Sequence, residues 1–303
     1  MSLFKVIIRY LQDCYKDVSK YYQEEAEEAI ELFKTLNYDN NIPDYNNPYI
    51  QELYALRYMY AYGYEYREMF RRLFAAQKIP KVMHILSIGC GNGIDYWAFR
   101  SACSMVLEED RTNVFYSYTG IDRVNWMWRF GEKYIEHNSN VQYETCDAAE
   151  FLRKNQAALP YNIIIFPKSI CEFPEEVFEQ ICDTLANAGF KFTSKGREYN
   201  TKEVHFLVSL RWKEDADPDR LTDKLRSDRL IKAMEKNGFR LKDNEAAAVY
   251  VGEKKEIDEC DPDFKYPDDI RKFFRDLNNQ QICYNPITNE KNNCNRVMTF
   301  VRG

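Results

Sequence analysis

The chain has 303 residues, 45% hydrophobic and 30% charged, which is enough apolar side chain for a full core and excludes a disordered or fibrous composition. A net charge of −6 argues against sequence-independent capture of phosphate backbones, which needs a broad cationic surface. Nine scattered cysteines without a C-x-x-C pair, and only 3 histidines, argue against a disulfide framework or a zinc site and for reduced thiols in a cytoplasmic protein.

The first apolar stretch, Leu3 to Leu11, is short, is broken by Lys5 and Arg9, and lacks the small-residue cleavage site of a signal peptide. No run approaches the roughly 18 apolar residues of a membrane span. Residues 2–36 read as one or two helices, with Leu3, Ile7, Tyr10, Leu11 and Tyr15 at helical spacing and Glu24 to Glu31 as a solvated acidic face. The Asn- and Pro-dense stretch 37–48 reads as a loop, and a second helix follows over 49–77. On that helix Tyr54, Tyr58 and Tyr62 share one face, with Arg57 and Glu65 near its edges. The 23 tyrosines of the chain suit half-buried pocket walls, and codon bias in an AT-rich genome accounts for them equally well.

From Lys81 the pattern alternates. Short apolar strands are expected at 82–88, 118–121, 141–144, 162–166 and 204–210, with helices between them, notably 175–188 and 221–237. Two more strands are expected at 246–251 and 296–301, separated by a polar insertion with a helix near 267–277. Such alternation predicts a parallel sheet covered on both faces by helices.

The most informative segment is Ile85-Leu86-Ser87-Ile88-Gly89-Cys90-Gly91-Asn92-Gly93, a strand running into three glycines at alternate positions, with a helix expected after it. Glycines serve where a turn needs unusual dihedrals or a ligand must touch the backbone. A dinucleotide fingerprint would require its third glycine at Ile94, and a P-loop would require Gly-Lys-Ser/Thr, so neither fits.

This segment resembles motif I of the class I S-adenosylmethionine-dependent methyltransferases. In that family the second strand ends in an acidic residue that holds the ribose hydroxyls, and Tyr118-Thr119-Gly120-Ile121-Asp122 fits, with Arg123 following. The third strand ends near an acidic residue beside the adenine amine, and Cys146-Asp147-Ala148 fits. The resemblance covers roughly residues 80–303 and implies a seven-stranded, mostly parallel Rossmann-like α/β sheet whose last strand, near 296–301, runs antiparallel between its neighbours. It divides the chain into a helical segment, 1–80, covering the pocket, and a methyltransferase domain, 81–303. It also implies S-adenosylmethionine as cofactor, with S-adenosylhomocysteine as product and no metal. The expected cofactor-binding residues are Gly89, Cys90, Gly91, Asn92, Gly93, Asp95, Asp122, Arg123, Cys146, Asp147, Ala148 and Phe166.

One departure concerns Ser87, where the family usually carries an acid. Asp95 either replaces that charge or is an N-terminal helix residue favoured by the dipole. The segment after the fourth strand, Phe166-Pro167-Lys168-Ser169-Ile170-Cys171-Glu172, lacks the Asn/Asp-Pro-Pro-aromatic run of amino-methylating nucleic-acid enzymes. Lys168, Glu172 and Tyr62 are the candidates for the chemistry: Lys168 as a substrate anchor or a plain surface residue, Glu172 as a proton acceptor. The tyrosine face either encloses a sulfonium or packs as core. The expected acceptor is a small molecule or a protein side chain. An RNA acceptor would need a basic groove from Arg67, Arg71, Arg72, Lys78 and Lys81; other alkyl transfer and a non-catalytic scaffold are further readings.

Overall fold

The computed structural model describes residues 3–36, 43–76, 82–110, 115–127, 140–194, 197–211, 222–243, 248–253, 255–261, 264–279, 285–290 and 293–303. Helices α1 (Leu3–Glu24), α2 (Ala26–Lys34) and α3 (Pro48–Ala76) precede the first strand. Asn47 caps α3 by accepting from the Tyr49 amide at 2.9 Å, with Pro48 at the first helical position, where its missing N–H costs nothing. The strand and helix alternation follows: β1 (Val82–Ile88), α4 (Ile94–Asp110), β2 (Phe115–Asp122), β3 (Val141–Thr145), α5 (Ala148–Asn155), β4 (Ile163–Phe166) and α6 (Glu175–Ala186). The remainder comprises β5 (Lys191–Ser194), β6 (Arg197–Asn200), β7 (Glu203–Leu210), α7 (Thr222–Lys236), β8 (Phe239–Leu241), β9 (Tyr250–Val251), α8 (Ile257–Cys260), α9 (Asp268–Asn279) and β10 (Cys294–Arg302).

The sheet runs β3-β2-β1-β4-β7-β10-β8, and β9 also pairs with β10. Its first five strands are parallel, and β10 is antiparallel to both β7 and β8. The expected mostly parallel sheet with an inserted antiparallel last strand is therefore present. The central strands read as unbroken apolar runs because both faces are covered: all of Ile163–Phe166 is buried, as is Val204–Leu210. Side chains alternate between two cores. Ile85, Ile163 and Leu207 join α1, α3 and α4, and Leu86, Ile164 and Phe206 join α6 and α7.

The N-terminal helices thus complete one layer of the sheet. Described parts of the 252–295 insertion pack on the outside of that layer: Phe273 of α9 meets Tyr15 at 5.5 Å, and the Tyr266 hydroxyl donates to the Leu56 carbonyl at 2.5 Å. Three differences from the expected elements stand out. The expected strand 246–251 contains only Tyr250–Val251, its positions 246 and 247 lying outside the described residues. A three-residue strand, Phe239–Leu241, fills the sheet edge beside β10 instead. A β5–β6 hairpin also forms off the main sheet. Among the described residues no helix is long and apolar enough to cross a membrane.

Candidate active site

The chain steps from β1 to β2 and β3 on one side and returns to β4 on the other, so a crevice opens beyond the carboxyl ends of β1 and β4. A cavity occupies it, lined by the glycine turn, the ends of β2 and β3, the loop after β4 and one face of α3. Gly89, Gly91 and Gly93 all have positive φ, at 72°, 53° and 81°. They do different work. A Cβ on Gly89 would stand 2.5 Å from the Ser169 Cβ, whose hydroxyl donates to the Ile88 carbonyl, so that glycine lets the loop after β4 close over β1. Gly91 lines the cavity, and the Trp126 ring is the group nearest its missing side chain, at 3.6 Å.

Asp122, at the tip of β2, accepts from the Gly91 amide at 2.8 Å with one carboxylate oxygen and from the Val124 amide at 2.9 Å with the other. Asp122 also lines the cavity. Asp147 caps α5 by accepting from the Glu150 amide at 2.9 Å and lines the cavity beside Cys146 and Ala148. Cys90, Asn92 and Arg123 also line it. The Asn92 side chain accepts from the Ile94 amide at 3.2 Å, which ties the turn to the start of α4.

Helix α3 forms the roof. Tyr54, Tyr58, Tyr62 and Tyr66 stand on one face as a ladder, with centroid separations of 4.8, 5.4 and 6.1 Å. Tyr54, Tyr62 and Tyr66 reach the cavity, so the face serves both as packing and as lining. Tyr45 and Trp126 continue the aromatic wall, 5.3 Å apart. Sequence reading missed what holds that wall. Gln51, buried on α3, donates to the carbonyls of Tyr45 and Asn125 at 2.6 and 3.2 Å and accepts from the Met127 amide at 2.8 Å. A lone glutamine in a helix carries no signal of such bridging.

The loop after β4 turns Lys168 and Glu172 in opposite directions. Lys168, with φ 56°, points into the protein, donates to the Leu210 carbonyl at 2.5 Å and pairs with Glu65 of α3 at 2.9 Å. It is neither a surface residue nor part of the cavity lining. Glu65 also accepts from Ser209 at 2.9 Å and Asn295 at 3.2 Å, and burial still pushes its carboxyl up against the pull of Lys168. Glu172 does line the cavity and pairs with Arg211 at 2.6 Å. Its side chain keeps 37% of its exposure; desolvation by the groups around it raises the carboxyl above its ordinary value, Arg211 opposes this, and the nearby charge of Asp122 adds to the rise. Arg226 of α7 fixes the loop by donating to the Ile170 and Phe173 carbonyls at 2.7 and 2.8 Å.

Four of the expected residues do not line the cavity: Gly93, Asp95, Phe166 and Lys168. Gly93 faces the Tyr143 ring, and Phe166 is fully buried in the sheet core. Asp95 lies beneath the turn, where the Tyr118 hydroxyl donates to it at 2.9 Å, and burial pushes its carboxyl up to about 6, opposed by Ser87 and Tyr118. From 3.8 to about 6 is a shift worth roughly 3 kcal/mol, favouring the protonated form in the folded state. Its stabilising contribution is therefore complete below pH 3.8 and is lost as the pH rises through about 6. Asp95→Asn is expected to be more stable than the parent at pH 7.5 and to show a flatter stability profile across that window. Thermal melts from pH 4 to 8 that ran parallel for the two proteins would refute this.

The basic cluster does not form a bare cationic strip. Arg67 pairs with Asp261 at 2.7 Å, Arg71 with Glu68 at 2.8 Å, and Arg72 bonds Asn295 and lies 4.5 Å over the Tyr250 ring. Lys78 and Lys81 lie outside the described residues. Among the described residues the cysteines are free thiols, and no group of His, Cys, Asp and Glu is arranged to hold a metal ion.

No family model and no curated protein matches the chain. Several solved structures are similar to it at a distance. A SAM-dependent methyltransferase from Archaeoglobus fulgidus shares 14% identity over 78% of this chain and 91% of its own, with a TM-score of 0.37. The YcgJ protein from Bacillus subtilis shares 14% identity over 78% and 98%, with a TM-score of 0.41. Fibrillarin from Aeropyrum pernix, solved with natively bound S-adenosyl-L-methionine, shares 13% identity over 78% and 76%, with a TM-score of 0.39.

Proposed function

We propose that the chain binds S-adenosylmethionine in this cavity and transfers its methyl group to a small molecule or a single protein side chain admitted beneath α3. The observation that carries this reading is convergence. The glycine turn, Asp122 and the Cys146-Asp147-Ala148 corner come from three separate strand ends and line one cavity. The residues fit the group: a glycine turn on the cavity wall, an acceptor-only carboxylate for a sugar diol, and an acidic helix cap for an adenine amine.

When bound, the cofactor supplies a methyl group on a cationic sulfonium. The chain then has to hold, orient and keep water out. Tyr54, Tyr62 and Tyr66 line the roof, and an aromatic wall suits a cation enclosed next to a planar acceptor. Proximity and orientation of this kind are worth roughly 7–11 kcal/mol in favourable systems. Glu172 is the carboxylate placed to take a proton from an acceptor that must lose one; its raised carboxyl favours proton uptake, and Arg211 opposes that rise. Lys168 acts at one remove, joining the roof helix to the loop that carries Glu172.

Calorimetric titration with S-adenosylmethionine and with S-adenosylhomocysteine tests the reading. Binding of both in the micromolar range is the expected result. A folded protein that binds neither would refute the enzymatic reading and leave a scaffold.

A further inference from the structure

The charged side chains that line the cavity are unevenly divided. Among the described residues three are acids, Asp122, Asp147 and Glu172, and one is a base, the exposed Arg123. Asp122 ends β2 and Asp147 follows β3, where the cofactor reading places a sugar and an adenine. Glu172 stands apart from them, on the loop after β4, with Pro167, Ser169 and Phe173 beside it in the lining. Its ion-pair partner Arg211 lies within electrostatic reach of Tyr62, so Glu172 and the roof tyrosine share one end of the cavity.

That end carries an excess of negative charge. The charged groups acting most strongly on Glu172 are Arg211, Asp122 and Asp223, so three carboxylates meet one guanidinium. Asp223, only 4% exposed, accepts from the Arg211 backbone amide at 2.7 Å, and its charge acts on the guanidinium as well. When Glu172 takes up a proton, Arg211 therefore keeps an anionic partner. A carboxylate or phosphate entering here is repelled. A cation is drawn in by the acids, and the aromatic wall of Tyr54, Tyr62 and Tyr66 suits its charge.

We propose that the acceptor is a small amine that enters as its ammonium ion, is held by Glu172 beneath the tyrosine roof, and gives a proton to that carboxylate before it is methylated. An ammonium nitrogen has no lone pair, so an N–H bond must break first: the proton goes to Glu172 and the electron pair stays on nitrogen. With that pair the amine nitrogen forms the N–C bond as the C–S bond breaks and its pair passes to sulfur, leaving a methylammonium and a neutral thioether. Loss of the proton also removes the repulsion between the ammonium and the sulfonium.

This assignment rests on the cofactor reading above, and the measurements separate the two. The protein saturated with S-adenosylhomocysteine is titrated by calorimetry with 2-phenylethylamine, 2-phenylethanol and 3-phenylpropionate, which share a ring and differ in the head group. The amine is expected to bind about tenfold more tightly than the alcohol, the size of one hydrogen bond to a charged group, and the carboxylate is expected not to bind. An amine that binds no better than the alcohol, a carboxylate that binds best, or no binding of any probe overturns the proposal while the cofactor reading stands. A parent that fails to bind S-adenosylhomocysteine overturns both. Glu172→Gln, in a sample shown to be folded by its thermal melt, is expected to lose the preference for the amine and to keep the affinity for the alcohol. Equal weakening of both probes would make Glu172 a structural residue of the loop and overturn its role. The ranking of the three probes on the parent decides the matter even where the variant does not fold.

Discussion

Asp122→Ala is expected to weaken S-adenosylhomocysteine binding at least a hundredfold while leaving the protein folded. Hydrogen bonds to a charged group contribute about 1.5–3 kcal/mol each, and a ribose offers two hydroxyls, so the loss amounts to about 3–6 kcal/mol. The cost to the fold is small by comparison. Asp122 stands at a strand tip, and its two backbone donors, Gly91 and Val124, flank a cavity that water can enter. Asp122→Asn retains one acceptor oxygen and should fall between the parent and the alanine variant. Removing the charge also withdraws one cause of the raised Glu172 carboxyl, so the pKa of Glu172 should fall in both variants. Calorimetry with a thermal melt on the same samples decides the matter. Unchanged affinity in a folded Asp122→Ala protein would remove the sugar-binding assignment.

The second large effect concerns stability. Glu65→Ala leaves the Lys168 ammonium buried, with side-chain exposures of 6% and 0% for the pair in the parent. Removing one partner of a buried pair costs about 3–5 kcal/mol, because the other charge remains out of water. At this chain length that corresponds to a fall in melting temperature of roughly 10 °C. Lys168→Met should cost less, because Glu65 escapes by taking a proton, and burial already pushes its carboxyl upward. The sign follows: with the folded carboxyl raised further, the stability of Lys168→Met should decline as pH rises, whereas Glu65→Ala lacks that dependence. The apolar double substitution Glu65→Leu with Lys168→Met should recover much of the loss. Denaturant melts of the three variants test this, and a Glu65→Ala protein as stable as the parent would show that the pair holds nothing.

What was legible in the sequence divides along a physical line. Local chemistry announces itself: of the glycines at alternate positions after an apolar strand, Gly89 and Gly91 line one cavity with the acid at the end of the next strand, Asp122, and the helix-capping Asp147. Side chains whose partners are remote in sequence gave no such signal. Lys168 looked available because its partner, Glu65, belongs to a helix read as a tyrosine stripe. Asp95 looked like a candidate for the cofactor's ammonium group because spacing does not show which way a first-turn carboxylate turns, and it turns towards Tyr118. Trp126 and Gln51 went unnoticed since neither type, alone in a loop or a helix, marks a site. The strand at Phe239–Leu241 was missed because three residues are too few to show alternation, and its place is decided by pairing with β10.

The position of β10 has a consequence for how the chain reaches this state. The last strand is inserted between β7 and β8, and it also anchors the roof, since Asn295 bonds Glu65 and Arg72 across separations of 230 and 223 residues. Tyr60 and Leu56 of α3 are tied to Phe264 and Tyr266 over 204 and 210 residues. Contacts of such long range must wait for nearly the whole chain and make folding slow. On the ribosome, the apolar faces of α1 and α3 are made first and covered late. The tyrosine-rich surface of these helices therefore stays exposed for a long interval, during which it is open to aggregation.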